Sequence, residues 1–542
     1  MSRDELISRS LPAVLLVLLA SPASAQSFRV QCPTSTITHP NAANNNSEPA
    51  YSGPTAQAVG ANGYLEPTAN VNGAIKCQQI SGGDGFATMG DGTQTYLFSF
   101  GPLSGLTDIA SGQPGTEFPG VFNTPYSGAT PLQPGDPATN GLTDYNGAVG
   151  LAPDQAVVLD PATAQHCAAN STDPACITGH VDPRQIMDVG VMNGNIPAPL
   201  MALDEDDEFF LTLTNVGMVM RPDLFEQHTV HFHGYPNASA FYDGVPDASV
   251  AINIGASFTY YYLAPEAGTY FWHCHITPPE HLQMGMVGQI YVRPRQNRVP
   301  TTSTLYAALQ RQQTDPRTAC NGSADILCSN PLPAGGDNGQ AGGYAGGVAT
   351  KRYAYNDGDG STRYDVEYPL QIHGFDPNFH FVGMTFNPEG FADMKDKLFL
   401  LNGRSYPDTV TPGPLKTPST DGVNHFSQPM DSIINIPAGG RALLRISSLD
   451  VSEYQTLASL GIPMQVIALN AKLLRDQAGN NMYYTTNSIT LGGGESLDVI
   501  LDASDTAKYP PGSVFYLYTP NLDHLSNDAE NFGGLMTEVR VN

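Results

Sequence analysis

Six of the chain's thirteen histidines lie between positions 228 and 281: His228, His231, His233, His273, His275 and His281. They fall in two motifs, HTVHFHG (228–234) and WHCHITPPEHLQMGM (272–286). Side chains alternate along an extended strand. His231 and His233 therefore share one face, as do His273 and His275, while Cys274 points the other way. Two such strands side by side present four imidazoles in one direction. In the other direction lie Cys274 and, after a turn, His281 and Met286. A thiolate, two imidazoles and a weak thioether form the ligand set of a blue-copper electron-transfer site. His228 supplies the second imidazole from the neighbouring strand. Met284 is a competing thioether, but the spacing favours Met286. A lone HxH is commonly a surface feature, and a free cysteine is usually a small core residue. The combination is what points to a metal. Zinc also takes Cys and His, though a structural zinc site more often pairs its cysteines.

These motifs need strands to hold them, and the surrounding text is β-rich. The runs FFLTLTNVGM, FTYYYLA and QIYVRP flank the histidine motifs, and residues 86–100 read as an earlier strand. A second β-pattern runs from about residue 368 to 542, with YPLQIHG, RALLRIS, MQVIALN and SLDVILD among its strands. The chain has 55 Gly, 44 Pro and only 14% charged residues, which suits short strands joined by many turns. One modest helix is expected near residues 303–313. The class is all-β, in two domains with long loop insertions. The first spans residues 26–297 and is interrupted by a Gly/Pro-rich insertion at about 101–185. A Gly-rich linker covers 298–360, and the second domain covers 361–542.

Residues 1–25 read as a secretory signal peptide. An apolar core (LPAVLLVLLA) precedes a small-x-small cleavage site at Ala23–Ala25, and the core is too short to span a bilayer. The expectation is a secreted or periplasmic protein, cleaved near Ala25, with no membrane span. Export permits disulfides. Six of the seven cysteines form local pairs (Cys32–Cys77, Cys167–Cys176 and Cys320–Cys328), although six cysteines allow 15 connectivities. Cys274 is left over. The formal net charge of −27 argues against nucleic acid as a partner. The acidic run LDEDDEFF (203–210) reads as a solvated turn entering a strand. His39, His166 and His180 read as surface residues, and Trp272 as packing beside the metal.

The motifs resemble those of the multicopper oxidases, laccase-like enzymes built from cupredoxin domains. HTVHFHG is similar to the family's HxxHxHG. The second motif resembles HCHxxxHxxxGM with two extra residues before its third histidine. NGNIPAP (193–199), YDGVP (242–246) and EAGTYFWHCH (266–275) resemble neighbouring family text. LLNGRSYP (400–407) and GGGESLDVILDA (492–503) resemble it more loosely. The resemblance implies two cupredoxin-like Greek-key β-sandwich or barrel domains. It implies type 1 copper at His228, Cys274, His281 and Met286, and half of a type 2/type 3 copper cluster at His231, His233, His273 and His275. The implied reaction is one-electron oxidation of a reductant coupled to dioxygen reduction. The electron donor would be a small reductant, a metal ion or a redox protein.

The family cluster needs eight histidines, and the first domain offers four. His373, His380, His425 and His524 of the second domain are not in HxH pairs, and YTPNLDH (518–524) stands where a second HCHxxxH is expected. His524 and His373 are the candidates for further ligands, and a homotrimer could complete the cluster between subunits. Two alternatives stand beside the oxidase: a type 1 copper electron carrier lacking the full cluster, and a copper nitrite reductase-like enzyme. Against the second, His231 occupies the place of that enzyme's catalytic aspartate.

Overall fold

The computed structural model describes residues 32–105, 108–109, 111–122, 194–218, 221, 226–235, 239–254, 256–315, 330–383, 390–418 and 424–542. The signal-peptide reading, His166, His180 and the cysteines at 167, 176, 320 and 328 lie outside these residues.

The chain is a β-protein built as two sandwiches. The first contains β1 (Ile75–Thr88), β2 (Gln94–Pro102), β3 (Met201–Asp204), β4 (Glu208–Gly217), β5 (His231–His233), β6 (Ser257–Leu263), β7 (Gly268–His273) and β8 (Val287–Arg293). One sheet has the order β2-β1-β4-β6 and the other β3-β8-β7-β5. Their inner faces meet in a core that includes Phe98, Phe100, Leu211, Leu213, Trp272 and Ile290. The stretch 86–100, expected to be one strand, is instead the turn region of a hairpin. Its apolar alternation continues across a tight turn, and β1 starts earlier, where it pairs in parallel with β4.

The second sandwich contains β9 (Val366–Phe375), β10 (Leu398–Leu401), β11 (Ile434–Ile436), β12 (Arg441–Ser448), β13 (Gln455–Leu460), β14 (Met464–Leu469), β15 (Ser488–Leu491), β16 (Glu495–Asp502), β17 (Val514–Tyr518) and β18 (Met536–Val541). Its sheets run β10-β9-β12-β16-β14 and β11-β18-β17-β13-β15. The sandwiches pack directly on each other. Phe271, Leu282 and Val287 of the first touch Leu449 of the second. Ala87, Leu97 and Ile196 likewise meet Phe375, Leu398 and Leu400. Among the described residues, no helix is long and apolar enough to cross a membrane. Three short helices matter here: α1 (Pro278–Gln283), α2 (Leu305–Gln312) and α3 (Pro377–Gly383). The second is the helix expected near 303–313. Thr304 caps it by accepting a hydrogen bond from Ala307 N.

Two expectations change. The described ends of 298–360 pack against the first sandwich, while the Gly-rich run 334–350 between them is mostly exposed. Arg298, Asn356 and Asp357 are buried at those ends, and Gln296 donates to Asp357 while Asn356 donates to Glu205. Gly335, Gly346 and Gly347 of the Gly-rich run sit in turns. The acidic run 204–208 is buried throughout instead of solvated. A buried carboxylate needs a partner, and the fold supplies one for each. Lys76 Nζ lies 3.1 Å from Asp204 and 3.0 Å from Asp207. Arg295 binds both oxygens of Asp206 and, through its backbone N–H, Glu205. His39, buried rather than on the surface, pairs with Glu208 at 2.6 Å.

The Cys32–Cys77 disulfide is present and closes a loop of 45 residues in sequence separation. It ties the chain before the first sandwich onto β1. A loop of this length loses enough entropy in the unfolded chain to be worth about 2–4 kcal/mol. Replacing both cysteines by serine should lower the unfolding free energy by that amount in a urea titration. An unchanged midpoint would show that the loop is held by its packing alone.

Candidate metal centre

Strand β5 lies antiparallel to β7, with His231 opposite His273, Phe232 opposite Trp272 and His233 opposite Phe271. This register puts the histidines of one motif onto those of the other. The His231 ring centre is 5.7 Å from His233, 5.2 Å from His273 and 5.1 Å from His275. Ligand atoms of His231, His233 and His273 lie within 4.8 Å of one another. Strand β7 ends at His273, yet alternation carries one residue further. Cys274 turns inward to a second group, with His228 and His281, whose ligand atoms also lie within 4.8 Å of one another.

The inner group is sealed in the first sandwich. His228, Cys274, His281 and Met286 are fully buried. His281 Nδ1 is 3.3 Å from Cys274 Sγ. Cys274 N donates to the Met286 carbonyl, and Met286 N donates to the His281 carbonyl, so the backbone holds all three side by side. Thr229 joins the two motifs: its N–H approaches Cys274 Sγ at 3.5 Å, and its Oγ1 accepts from His275 N at 3.0 Å. Phe98 and Phe100 wall the His281 and His228 rings. Gly82 leaves the space His228 needs, since a Cβ there would stand 2.7 Å from His228 Cδ2.

The donor chemistry fits a soft or borderline metal. Neither ring nitrogen of His228 has a hydrogen-bond partner, and a buried imidazole with no partner is costly unless something coordinates it. Burial alone would push the Cys274 thiol up, but the adjacent His281 more than offsets this, and the thiol ends below its usual value. The thiolate is the form that binds metal. Burial opposes a charged ring at His281, yet Cys274 and Glu226 raise it to about 10. One thiol, two imidazoles and a buried thioether suit copper, and among the described residues no second cysteine joins the group.

The outer group is oriented by hydrogen bonds to its other ring nitrogens. His231 Nδ1 lies 2.7 Å from the Asp243 carbonyl, and His273 Nδ1 lies 2.7 Å from the Cys274 carbonyl. An Nδ1–H donated to each carbonyl turns Nε2 toward the group, the usual way a metal-binding histidine is held; that of His273 lies 3.4 Å from His233 Nδ1. The YDGVP turn makes the first contact. Gly244, at φ 80°, packs where a Cβ would meet the Val230 carbonyl at 2.0 Å, which brings Asp243 against His231. Burial pushes His231 and His233 down and His273 down to about 3, so the rings stay neutral with lone pairs available. His233 stacks on Phe271 at 4.4 Å and faces Gly494 of the second sandwich, 3.6 Å from its Nε2 to a Cβ built on that glycine.

Three histidines of the second sandwich lie elsewhere, and of these His373 has neither ring nitrogen hydrogen-bonded. His524 Nδ1 is 2.9 Å from Gln455 Oε1 and its Nε2 is 3.2 Å from Glu453, with the ring stacked on Phe399. His373 is buried in β9, where Asp450 acts on it. His380 lies between the carbonyls of Tyr96 and Gln283. None of these joins the histidine groups among the described residues. Three carboxylates, Glu48, Asp204 and Asp207, form another candidate metal group, but the Lys76 ammonium already sits between them. Sequence reasoning missed Glu226, 3.5 Å from His281 Nε2, which no motif marks. It also missed Gly82, whose role depends on a contact between distant strands. The Trp272 reading stands as packing: the ring is buried against Phe100 at 5.0 Å.

Gly82→Ala should displace His228 and weaken metal binding at the Cys274 group by about tenfold or more. Cobalt(II) titration, followed by the thiolate charge-transfer band, measures this. Equal affinity for both proteins would show that His228 is not held as described.

A multicopper oxidase family model matches residues 177–297. Laccase abr2 of Aspergillus fumigatus is 35% identical over 109 residues, 20% of this chain and 17% of that protein. A copper-containing nitrite reductase of Rhizobium meliloti is 35% identical over 109 residues, 19% of this chain and 26% of that protein. The chain thus spans only about a sixth to a quarter of the length of these relatives. The crystal structure of the blue copper oxidase from Nitrosomonas europaea matches with a TM-score of 0.40 at 21% identity, over 64% of this chain and 78% of that one. The segment that carries every histidine of both groups is the one that matches the multicopper oxidase model.

Proposed function

We propose that this protein is an exported copper-dependent oxidoreductase that oxidises a reductant one electron at a time and passes the electrons to dioxygen. The observation that carries the reading is the placement of Cys274. It shares a buried group with His228 and His281, and its chain neighbours His273 and His275 belong to the other group. His228, Cys274, His281 and Met286 would hold type 1 copper; His231, His233, His273 and His275 would hold type 2/type 3 copper. Bound copper supplies the one-electron redox couple that these side chains lack. The chain's own residues exclude water from Cys274, fix the ring nitrogens of His231 and His273 through backbone carbonyls, and connect the two groups by a single peptide unit. The four histidines are half of the family's set. The remaining ligands would come from a second copy of the chain, in a homotrimer. The electron donor would be a small reductant, a metal ion or a redox protein, and the acidic chain favours a cationic donor. Residues 1–25 would direct export to the periplasm or exterior.

The isolation of His373, His380 and His524 from the histidine groups supports a second reading, a type 1 copper electron carrier. A third, nitrite reduction, follows from the nitrite reductases among the relatives. Copper content, visible absorption and gas consumption separate the three. The oxidase reading expects more than one copper per chain, a blue band and dioxygen uptake with a reductant. Cys274→Ser should abolish the blue band and the uptake while leaving the circular dichroism spectrum unchanged. One copper per chain with a blue band and no uptake would leave the carrier. Uptake of nitrite but not of dioxygen would leave the reductase.

A further inference from the structure

Gln283 ends α1 two residues after His281 and is fully buried. The second sandwich grips it at three points. Asp376 N donates to its Oε1 at 3.1 Å, its Nε2 donates to Asp396 Oδ1 at 3.0 Å, and His380 Nε2 lies 3.0 Å from its carbonyl. His380 Nδ1 lies 2.7 Å from the Tyr96 carbonyl on β2, so the neutral ring, with one N–H to donate, sits between Gln283 and the strand whose Phe98 packs on His281.

Asp396 belongs to a carboxyl pair. Ser452 Oγ contacts Asp396 Oδ2 and lies 3.1 Å from Asp450 Oδ1. A hydroxyl has one proton to give. If both carboxyls were ionised, one of these contacts would set lone pair against lone pair, and one carboxyl proton removes the conflict. Both side chains also crowd β9 at Gly374, where a Cβ would stand 2.1 Å from Asp396 Oδ2 and 2.6 Å from Asp450 Oδ2. Burial and the Asp450 charge push Asp396 up to about 8. The groups facing the pair are Ser452 and Gln455 from the 450–455 segment, Gln283 from α1, and His373 and Gly374 from β9. Asp376 of the β9–α3 turn binds Lys395 N. Lys395 and Lys397 flank Asp396 in the chain and are exposed. Burial pushes His373 down and His380 down to about 4, so neither ring supplies a positive charge near neutrality.

We propose that Gln283 is a positioning residue through which the protonation of Asp396, which meets Asp450 across Ser452, sets the redox potential of the His228, Cys274, His281 and Met286 group. The inference rests on the copper reading of that group. When the Asp396 proton leaves, a negative charge forms beside the Gln283 amide. Added negative charge favours the more positive, oxidised metal, so the potential falls as pH rises through the transition. A replacement that keeps Asp396's size but cannot ionise removes the step.

The test is a redox titration of the copper-loaded full chain, followed by its blue band and by electron paramagnetic resonance, on either side of pH 8. Wild type should show a fall in potential with rising pH. Asp396→Asn and Asp450→Asn should each keep the blue band and lose the fall. Gln283→Leu should change the copper hyperfine splitting and also flatten the pH profile. A wild-type potential independent of pH, or a fall that persists in whichever Asn variant folds, overturns the proposal. A wild-type protein that binds copper without a blue band overturns the copper reading itself, and the proposal with it.

Discussion

Strands β5 and β7 pair with His231 opposite His273, and a slip of one residue would turn one set of histidines to the opposite face of the sheet. Everything at the site follows from this register. It sets four imidazoles on one side of the two strands and leaves Cys274, between His273 and His275, to enter the core on the other. The two donor groups are therefore a single residue apart along the chain, yet their environments differ. The outer rings are partly exposed at His231 and His233, while the inner group is sealed among Phe98, Phe100 and Trp272.

Register alone would not keep the ring nitrogens free for a metal. The fold does so by giving the other nitrogen of His231 and His273 a backbone carbonyl, and by leaving the ring nitrogens of His228 without a hydrogen-bond partner. The carbonyl for His231 comes from a turn twelve residues downstream, and the room for His228 comes from Gly82 on β1. A metal-binding group of this kind is made by its neighbours as much as by its ligands.

The same principle governs the charges. The overall balance is strongly negative, but the densest acidic run is buried and paired with Lys76, Arg295 and His39. Carboxylates at 204–208 thus hold the first sandwich to the 295–298 segment instead of attracting a ligand. Where carboxyls lack a cation, at Asp396 and Asp450, they meet each other across Ser452 and reach the ligand-bearing helix through Gln283. The second sandwich, which has no paired histidines, contributes to the site by holding its scaffold.

Local patterning was enough to reveal the β class, the short helix at 305–312 and the donor residues. Strand alternation and motif spacing are short-range properties, and they set His231 with His233 and Cys274 apart from its neighbours. The odd cysteine count pointed correctly to Cys274 as the free thiol among the described residues. Tertiary structure decided what depends on contacts between distant segments. It buried His39 and the acidic run, because their partners lie far away in sequence. It packed the two ends of the 298–360 segment against the first sandwich. It also kept His373 and His524 away from the histidine groups, since both are buried within the second sandwich. A sequence shows which side chains can bind a metal or a proton; only the folded chain fixes which of them meet, because that requires strands hundreds of residues apart to pack against one another.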